Sequence, residues 1–311
     1  MLRRLDRFQR ARLSRQRGAR RGVPAHPSRR PVIGRIFAAI ALLFAAPVAA
    51  QQAVRVPVVE AGRTVELSAQ LYRPATQGAP TPAVAVFHGC GGPGMNTARM
   101  AQLLAGWGYA ALVVDSFGAR GIRDACGRNW PSQAQAEARA HDIDASLAWL
   151  ARQPGFDPQR LAYMGYSYGG GVAMLRAFAS SDDREPAQAQ ASVLVYPDCA
   201  LADALGAKLR LRLPTFAAMA ELDDWTPVAR CEAVFARLGA GRDGLQTAIY
   251  RGAHHSFDAL GLPVRYLEGA GNRSKPGGCC GAHYGAHEPS WRQFVEDVRG
   301  FLADQLARKI R

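Results

Sequence analysis

One stretch of the sequence, residues 161–174, constrains the fold more than any other. An apolar run reaches Gly165, Ser167 stands alone two positions later, and three glycines from Gly169 lead into an Ala- and Met-rich segment. This is the order of a strand, a sharp turn and a helix. In the G-x-S-x-G nucleophile elbow the serine lies on a strained turn above the sheet, and the flanking glycines leave room for the neighbouring elements. The same residues also fit a glycine-rich connection without chemistry, so the interpretation depends on partners elsewhere.

Predicted strands and helices alternate along the chain after residue 50. Alternating apolar and polar residues at 54–60 and 65–72 indicate an antiparallel hairpin. Ser132 and Gln135 form a capping box for a helix that ends before Pro154. The other strand candidates are residues 82–87, 110–114, 192–196, 214–220 and 246–250, and the other helix candidates are residues 97–107 and a closing helix with an apolar stripe through Trp291, Phe294, Val298, Phe301 and Leu302.

This alternation predicts an α/β fold with a mostly parallel, doubly wound sheet and helices on both faces. In such folds, functional sites lie beyond the carboxyl ends of the strands. About 17 residues separate Tyr196 from Pro214, which is too few for an inserted lid. We therefore expect no large lid domain and a fairly open site.

Partners for Ser167 follow later in the chain, each directly after a predicted strand. A serine hydroxyl needs a base to take its proton, and the base needs an acid to orient it. In this architecture the three residues come in the order serine, acid, histidine. The acid candidates are Asp223 and Asp224, and the base candidates are His254 and His255.

A glycine-rich loop, His-Gly-Cys-Gly-Gly at residues 88–92, follows an earlier strand. Its backbone suits an oxyanion hole, in which two N–H groups converge on the negatively charged oxygen of an intermediate. The candidate donors are the N–H groups of Cys90 and of Tyr168, the residue after the nucleophile. Taken singly, a histidine pair is usually solvated or structurally hydrogen-bonded, and an Asp-Asp-x-x-Pro turn usually caps a helix. The four elements in the required order favour a hydrolase.

Together these motifs resemble the dienelactone hydrolase family. The matching segments are residues 88–92, 114–121 (Val-Asp-Ser-Phe-Gly-Ala-Arg-Gly), 165–170 (Gly-Tyr-Ser-Tyr-Gly-Gly), 223–228 (Asp-Asp-Trp-Thr-Pro-Val) and 252–258 (Gly-Ala-His-His-Ser-Phe-Asp). The resemblance covers roughly residues 52–305. It implies an α/β-hydrolase fold, no cofactor, and hydrolysis of a small ester or lactone.

The family pattern also selects among the neighbouring candidates. The acid lies four residues before the turn proline and the base two before an aromatic residue, which selects Asp223 and His255. The founding enzymes have a cysteine nucleophile where this chain has Ser167, and a glutamate-containing loop in place of His-Gly-Cys. The resemblance therefore implies a general carboxylesterase with Ser167, Asp223 and His255 as its catalytic triad.

The first 50 residues have the pattern of an export signal. Residues 1–35 hold twelve arginines and one acid, and so carry +11 of the formal net charge of +14. An apolar run at 36–46 and the small residues Val48, Ala49 and Ala50 complete the pattern. The run is shorter than the roughly 20 residues that span a bilayer, which makes a permanent anchor the weaker alternative. We expect cleavage after Ala50, leaving residues 51–311 as a single α/β-hydrolase domain in the periplasm or outside the cell.

The long basic leader leaves the export route open. Residues 28–33 loosely match a twin-arginine motif, and a translation start downstream of Met1 is the alternative.

The remaining chain has a formal charge of only +3, which argues against a nucleic-acid partner. The predicted partner is a small-molecule ester or lactone, without stable membrane insertion after cleavage; no pattern indicates an oligomeric state.

The six cysteines are disulfide candidates if the chain is exported. We predict a bridge between Cys199 and Cys231, which follow strands expected to be neighbours, and next a bridge between Cys90 and Cys126. Metal binding by the Cys- and His-rich residues 279–287 is an alternative, although their spacing matches no common zinc pattern, and we expect no metal. The Gly-, His- and Cys-rich residues 276–287 are instead expected to form a loop near the site mouth.

Other functions fit parts of this pattern. Arg120 is expected to pair with Asp115, or else to bind an acidic substrate. A serine peptidase or an acyltransferase would use the same acyl-enzyme, although peptidases of this type usually carry a substrate-gating domain. A non-catalytic exported binding protein is a further alternative, which the intact set of Ser167, Asp223 and His255 disfavours.

Overall fold

The computed structural model describes residues 50–75, 80–127, 132–180, 188–272 and 274–307. Strands and helices alternate through these ranges. The strands are β1 (Ala50–Glu60), β2 (Arg63–Arg73), β3 (Thr81–Phe87), β4 (Ala110–Asp115), β5 (Phe156–Tyr166), β6 (Phe178–Ser180), β7 (Ala191–Val195), β8 (Leu209–Leu211), β9 (Thr215–Ala220), β10 (Leu245–Tyr250), β11 (Arg265–Leu267) and β12 (Ala282–Tyr284). The helices are α1 (Met95–Gly106), α2 (Gln133–Arg152), α3 (Tyr168–Ala177), α4 (Val228–Ala236) and α5 (Glu288–Leu306).

Eight strands form the main sheet, in the order β1-β2-β4-β3-β5-β7-β9-β10. β1 pairs antiparallel with β2, β2 pairs antiparallel with β4, and the remaining neighbouring pairs are parallel. Apolar side chains on one face pack against α1 and α5, and those on the other face pack against α2, α3 and α4. This confirms the doubly wound α/β prediction, and no large lid covers the described sheet.

The predicted hairpin is confirmed, with β1 and β2 paired from Ala50 and Arg73 to Glu60 and Arg63. The predicted capping box is also present: the Ser132 hydroxyl accepts from the Gln135 N–H, and the Gln135 side chain accepts from the Ser132 N–H. Burial of Phe294, Val298 and Leu302, among others, confirms the apolar stripe of the closing helix α5. The predicted leader lies outside the described residues except for Ala50, the first residue of β1.

Four three-residue strands were not predicted. β6 pairs with β8, and β11 pairs with β12, each pair forming a separate two-stranded sheet. Three residues are too few for an alternation of apolar and polar positions to stand out from the sequence. The β11–β12 pair lies within a long excursion between β10 and α5, which becomes one wall of the site described below.

The two predicted disulfides are both present. Cys199 and Cys231 are bridged with their Cα atoms 5.1 Å apart, and Cys90 and Cys126 with theirs 4.9 Å apart. The remaining cysteines, at 279 and 280, are bridged to each other. All six are therefore paired, in agreement with an oxidising compartment.

Removal of the Cys199–Cys231 bridge should destabilise the protein. The bridge joins positions 32 residues apart, so replacing both cysteines with alanine should lower the free energy of unfolding by about 3 to 4 kcal/mol, because the unfolded chain gains entropy. The predicted hydrolase activity should also fall, because the Asp198 N–H beside Cys199 donates to the Ser167 carbonyl at 3.0 Å. Urea denaturation and steady-state kinetics measure both effects.

The chain provides a matched control for this bridge. Cys279 and Cys280 are adjacent in sequence and close no loop, so replacing both with serine should change the entropy of the unfolded chain very little. Equal losses of stability in the two double variants would contradict the loop-closure explanation.

Candidate active site

Ser167 lies on a strained turn between β5 and α3. Its φ of 54° and ψ of −118° lie outside the regions that non-glycine residues normally adopt. A Cβ at Gly165 would collide with the carbonyl of Gly169, and a Cβ at Gly169 would collide with the carbonyl of His88. The two glycines therefore allow the strand, the turn and the helix to approach closely, and the turn places the serine hydroxyl at the carboxyl edge of the sheet.

The structure brings Ser167, His255 and Asp223 together. Ser167 Oγ lies 2.9 Å from Nε2 of His255, and Nδ1 of His255 lies 2.7 Å from Oδ2 of Asp223. All three residues are at least 95% buried. The carboxylate only accepts hydrogen bonds, so Nδ1 carries the imidazole proton and Nε2 is left to accept the serine proton.

The neighbouring candidates have other partners. Asp224 accepts from the N–H of His283 at 2.7 Å and lies 2.8 Å from its Nδ1, and Nδ1 of His254 lies 3.0 Å from the carbonyl oxygen of Leu222. Neither takes part in the chain of hydrogen bonds to Ser167. The geometry thus favours the pair Asp223 and His255 over the pair one residue away.

Three residues that the sequence did not single out hold the acid and the base in place. The Thr226 hydroxyl lies 2.9 Å from Oδ2 of Asp223 and 3.0 Å from the carbonyl oxygen of Tyr196, and can donate to either. The rings of Tyr196 and Trp225 lie 4.6 Å and 4.9 Å from the ring of His255. Trp225 and Thr226 directly follow the acid candidates in the sequence. That adjacency was the signal that could have indicated their contacts with the acid and the base.

The backbone of the predicted oxyanion hole is held by hydrogen bonds. The Cys90 N–H belongs to the same planar peptide as the Gly89 carbonyl, so whatever fixes that oxygen also fixes the direction of the N–H. Nδ1 of His88 lies 2.7 Å from this oxygen. Similarly, the carbonyl of Ser167 shares a peptide with the Tyr168 N–H, and it accepts hydrogen bonds at 2.9 Å and 3.0 Å. Both candidate donor peptides are thereby oriented.

His88 is neutral in this arrangement. Its Nε2 accepts from the Ser116 N–H at 3.2 Å, which leaves the proton on Nδ1 for the Gly89 carbonyl. Burial lowers the pKa of His88 well below its usual value of 6.5, and the positive charge of Arg139 lowers it further. His88 is thus a structural donor within the loop rather than a second base.

This depressed pKa predicts a loss of stability in acid. Below about pH 6.5 the unfolded chain binds a proton at His88 that the folded chain does not, so the stability present above that pH is lost as the pH falls. The wild type should lose stability between pH 7 and pH 5, and His88→Asn should reduce that slope by up to about 1.4 kcal/mol per pH unit. Urea denaturation at several pH values measures the slope.

His141 provides the matched control for this titration. Its side chain is 65% exposed, so His141→Asn removes a histidine from the surface without altering the buried loop that His88 supports. A slope in His88→Asn as steep as in the wild type would show that other groups cause the loss.

A cavity of about 650 Å³ opens in front of Ser167. The glycine-rich loop lines one part of the cavity, and the excursion between β10 and α5 lines another. The lining is mainly apolar and includes the large side chains of Met95, Tyr166, Tyr196, Trp225, Leu260, Leu262, Leu267 and Tyr284. The predicted loop near the site mouth is thus present in part, since Tyr284 lines the cavity.

The excursion is attached to the loop that carries the acid. Trp225 donates through its indole N–H to the Gly271 carbonyl at 2.8 Å, and Asn272 donates to the Asp224 carbonyl at 2.8 Å. The contact of Asp224 with His283 adds a third attachment. The acid loop and the cavity wall therefore form one hydrogen-bonded unit.

Arg120 does not pair with Asp115, so that prediction is wrong. The Asp115 carboxylate instead accepts from the N–H groups of Phe117 and Gly118, both at 2.9 Å, and closes its own turn. Arg120 binds both carboxylate oxygens of Asp142, at 2.7 Å and 2.9 Å, and also pairs with Glu60. With two carboxylates bound, Arg120 is also a poor candidate for an acidic substrate.

The metal alternative for residues 279–287 finds no support in the geometry. Cys279 and Cys280 are bridged to each other, His283 contacts Asp224, and His287 lies 2.7 Å from the Ser290 hydroxyl. Across the described ranges, no group of three or more His, Cys, Asp or Glu side chains is arranged to hold a metal ion. Nor do those ranges contain a helix with the length and apolar character needed to cross a bilayer.

A family comparison matches most of the chain. The family model described as the dienelactone hydrolase family matches residues 67–297. Among curated proteins, an uncharacterized protein of Mycobacterium tuberculosis is 34% identical over 124 residues, which is 38% of this chain and 41% of that protein. The quorum-quenching protein AidA of Acinetobacter baumannii is 35% identical over 122 residues, 39% of this chain and 38% of that protein. The match thus spans about two fifths of the length of these relatives.

Solved structures share the fold over most of the chain. The dienelactone hydrolase of Anabaena variabilis has a TM-score of 0.57 at 19% identity, covering 84% of this chain and 100% of that one. A dienelactone hydrolase-like promiscuous phosphotriesterase from metagenomic libraries has a TM-score of 0.55 at 18% identity, covering 83% and 100%. Esterase 2 of Thermogutta terrifontis has a TM-score of 0.55 at 17% identity, covering 83% and 97%.

Proposed function

The chain belongs to the dienelactone hydrolase family, and we propose that it is an exported serine hydrolase that cleaves small carboxylic esters or lactones through an acyl-enzyme. The observation that carries this proposal is the continuous chain of hydrogen bonds from Ser167 through His255 to Asp223. It lies beside a cavity that the glycine-rich loop also lines, and hydrogen bonds to the Gly89 and Ser167 carbonyls support the Cys90 and Tyr168 peptides as the proposed oxyanion donors.

In this proposal Ser167 is the nucleophile. As its Oγ attacks the ester carbonyl, the hydroxyl proton passes to Nε2 of His255, and Asp223 stabilises the resulting imidazolium. The N–H groups of Cys90 and Tyr168 donate to the oxygen that becomes negatively charged. His255 then returns the proton to the departing alkoxide. Water repeats the sequence on the acyl-enzyme, releasing the acid and restoring Ser167.

The cavity lining supports a neutral, apolar substrate. Arg99 is the only permanently charged residue that lines it within the described part of the chain, and its guanidinium donates to the Asp258 carbonyl at 3.2 Å. A cavity of about 650 Å³ holds a drug-sized molecule, so aryl esters and medium-chain alkyl esters fit as well as acetates. We propose that the enzyme prefers these larger neutral esters to esters that carry a free carboxylate.

Purified full-length protein tests this function directly. Aryl acetate, butyrate, octanoate and benzoate esters, together with lactones, should be hydrolysed, and a fluorophosphonate should add to the peptide that contains Ser167. A protein that neither reacts with the fluorophosphonate nor hydrolyses any of these compounds would contradict the proposal. Product analysis in the presence of an alcohol acceptor separates hydrolysis from acyl transfer, and a casein or peptide substrate tests the peptidase alternative.

Export is supported by the three disulfides and by the basic and apolar pattern of residues 1–50. We expect protein isolated from its native host to begin at Gln51, as measured by intact mass. An uncut N-terminus in that sample would instead favour an anchor or a later start of translation.

A further inference from the structure

Arg139, on α2, contacts both halves of the proposed oxyanion hole. The residue is 3% exposed. Its Nη2 donates to the carbonyl oxygen of His88 at 2.5 Å. The guanidinium carbon lies 5.0 Å from the ring centre of Phe117 and 4.9 Å from that of Tyr168. One side chain thus contacts the start of the glycine-rich loop and the residue that supplies the second donor.

The His88 carbonyl is also where the loop meets the elbow helix. Gly169 packs so closely against this oxygen that any side chain at that position would collide with it. The atom held by Arg139 therefore sets the separation between the loop and α3. The ring of His88 orients the Gly89–Cys90 peptide from the same position.

Arg139 has an unusual environment for a buried cation. Its Nε and Nη1 have no hydrogen-bond partner among the described residues. Burying a charge without a directly bound carboxylate is costly, and the faces of two aromatic rings offset part of that cost. Burial lowers the pKa of Arg139 to about 10, which still leaves the guanidinium protonated at neutral pH.

We propose that Arg139 is a positioning residue for the hydrolytic reaction. It holds the glycine-rich loop and the start of α3 at the spacing that lets the N–H groups of Cys90 and Tyr168 reach one oxygen atom. Its positive charge lies against the same loop and ring, and so favours the negative charge that develops at the proposed oxyanion hole. This inference rests on the proposed function.

The test compares Arg139→Met, which keeps the length but removes the charge and the donors, with Arg139→Lys, which keeps the charge. We expect kcat to fall about 100-fold in Arg139→Met and less in Arg139→Lys, with KM within about threefold of wild type. The affinity for a trifluoromethyl ketone, which binds as a tetrahedral oxyanion, should fall with kcat, whereas the affinity for the product alcohol should not. A purely structural arginine would lower the melting temperature without this selective loss.

Arg176 provides the matched control. It is a partly buried arginine on α3 that pairs with Asp144 at 2.8 Å, away from the loop, so Arg176→Gln should lose stability and keep kcat.

If Arg139→Met does not fold, Phe117→Leu removes one stacking ring and keeps the hydrogen bond, and should weaken the ketone affinity about three- to tenfold.

Two results would overturn the inference. A folded Arg139→Met with kcat and ketone affinity within threefold of wild type would do so, and so would an unchanged ketone affinity in Phe117→Leu if the first variant cannot be purified. Failure of the wild type itself to hydrolyse esters or to react with a fluorophosphonate is a separate result, which contradicts the proposed function.

Discussion

Replacing Ser167 with alanine should lower ester hydrolysis by about 10⁶-fold, because the proposed mechanism forms the acyl-enzyme on the Ser167 hydroxyl. The remaining rate would come from substrate binding and the oxyanion hole alone. The fold should persist, since the elbow backbone is held by bonds that the side chain does not make: the Ser167 N–H donates to the Val195 carbonyl at 2.8 Å. Steady-state kinetics and thermal melting measure the two properties separately.

Ser132 offers the opposite behaviour as a control. Its hydroxyl caps α2 at the Gln135 N–H, so Ser132→Ala should cost about 1 kcal/mol of stability and leave kcat unchanged. One serine variant then loses activity without stability, and the other loses stability without activity. If Ser167→Ala retained a tenth of the wild-type rate, another residue would be the nucleophile.

Loss of the base or the acid should be nearly as damaging as loss of the nucleophile. We expect His255→Ala to lower kcat by about 10⁶-fold and Asp223→Ala by about 10⁴-fold, because the three groups act as a unit and the acid only orients and stabilises the base. Fluorophosphonate labelling of Ser167 should also slow in both variants, because the serine hydroxyl then lacks its base or the acid that orients the base. Single-turnover kinetics with an aryl ester would measure acylation directly.

The adjacent residues make the controls. Asp224→Asn and His254→Asn change the same residue types one position away, yet in the structure these side chains contact His283 and the Leu222 carbonyl. Their kcat should stay within about tenfold of wild type. A larger loss at either position than at Asp223 or His255 would place the catalytic pair one residue from where we assign it.

The features that sequence predicts well are those with a local signature. The elbow around Ser167, the capping box at Ser132, and the buried runs of the parallel strands each occupy a few consecutive residues. Parallel topology then brings the ends of separate strands to one edge, which is why candidates 56 and 88 residues from Ser167 in sequence, Asp223 and His255, meet in space. The disulfide prediction succeeded for the same reason.

Contacts between distant elements were harder to predict. Arg120 was assigned to an aspartate five residues away, but its carboxylate partners are Asp142 on α2 and Glu60 on β1. Arg139 lies on the same helical face as Ala136 and Ile143, which is the buried face of α2. The sequence spacing alone therefore indicated a charged residue on the buried face. Its contact with the His88 carbonyl depends on how α2 packs, which no local pattern specifies.

The attachment of the cavity wall to the acid loop has a consequence for laboratory evolution of substrate range. Changes at Leu260, Leu262 or Leu267 reshape the cavity through side chains alone, so libraries at these positions should alter selectivity while leaving most variants active. Changes at Asn272 would loosen the wall and the loop that carries Asp223 together, because Asn272 bonds the Asp224 carbonyl. Libraries there should yield mostly inactive clones, whichever ester is used for selection.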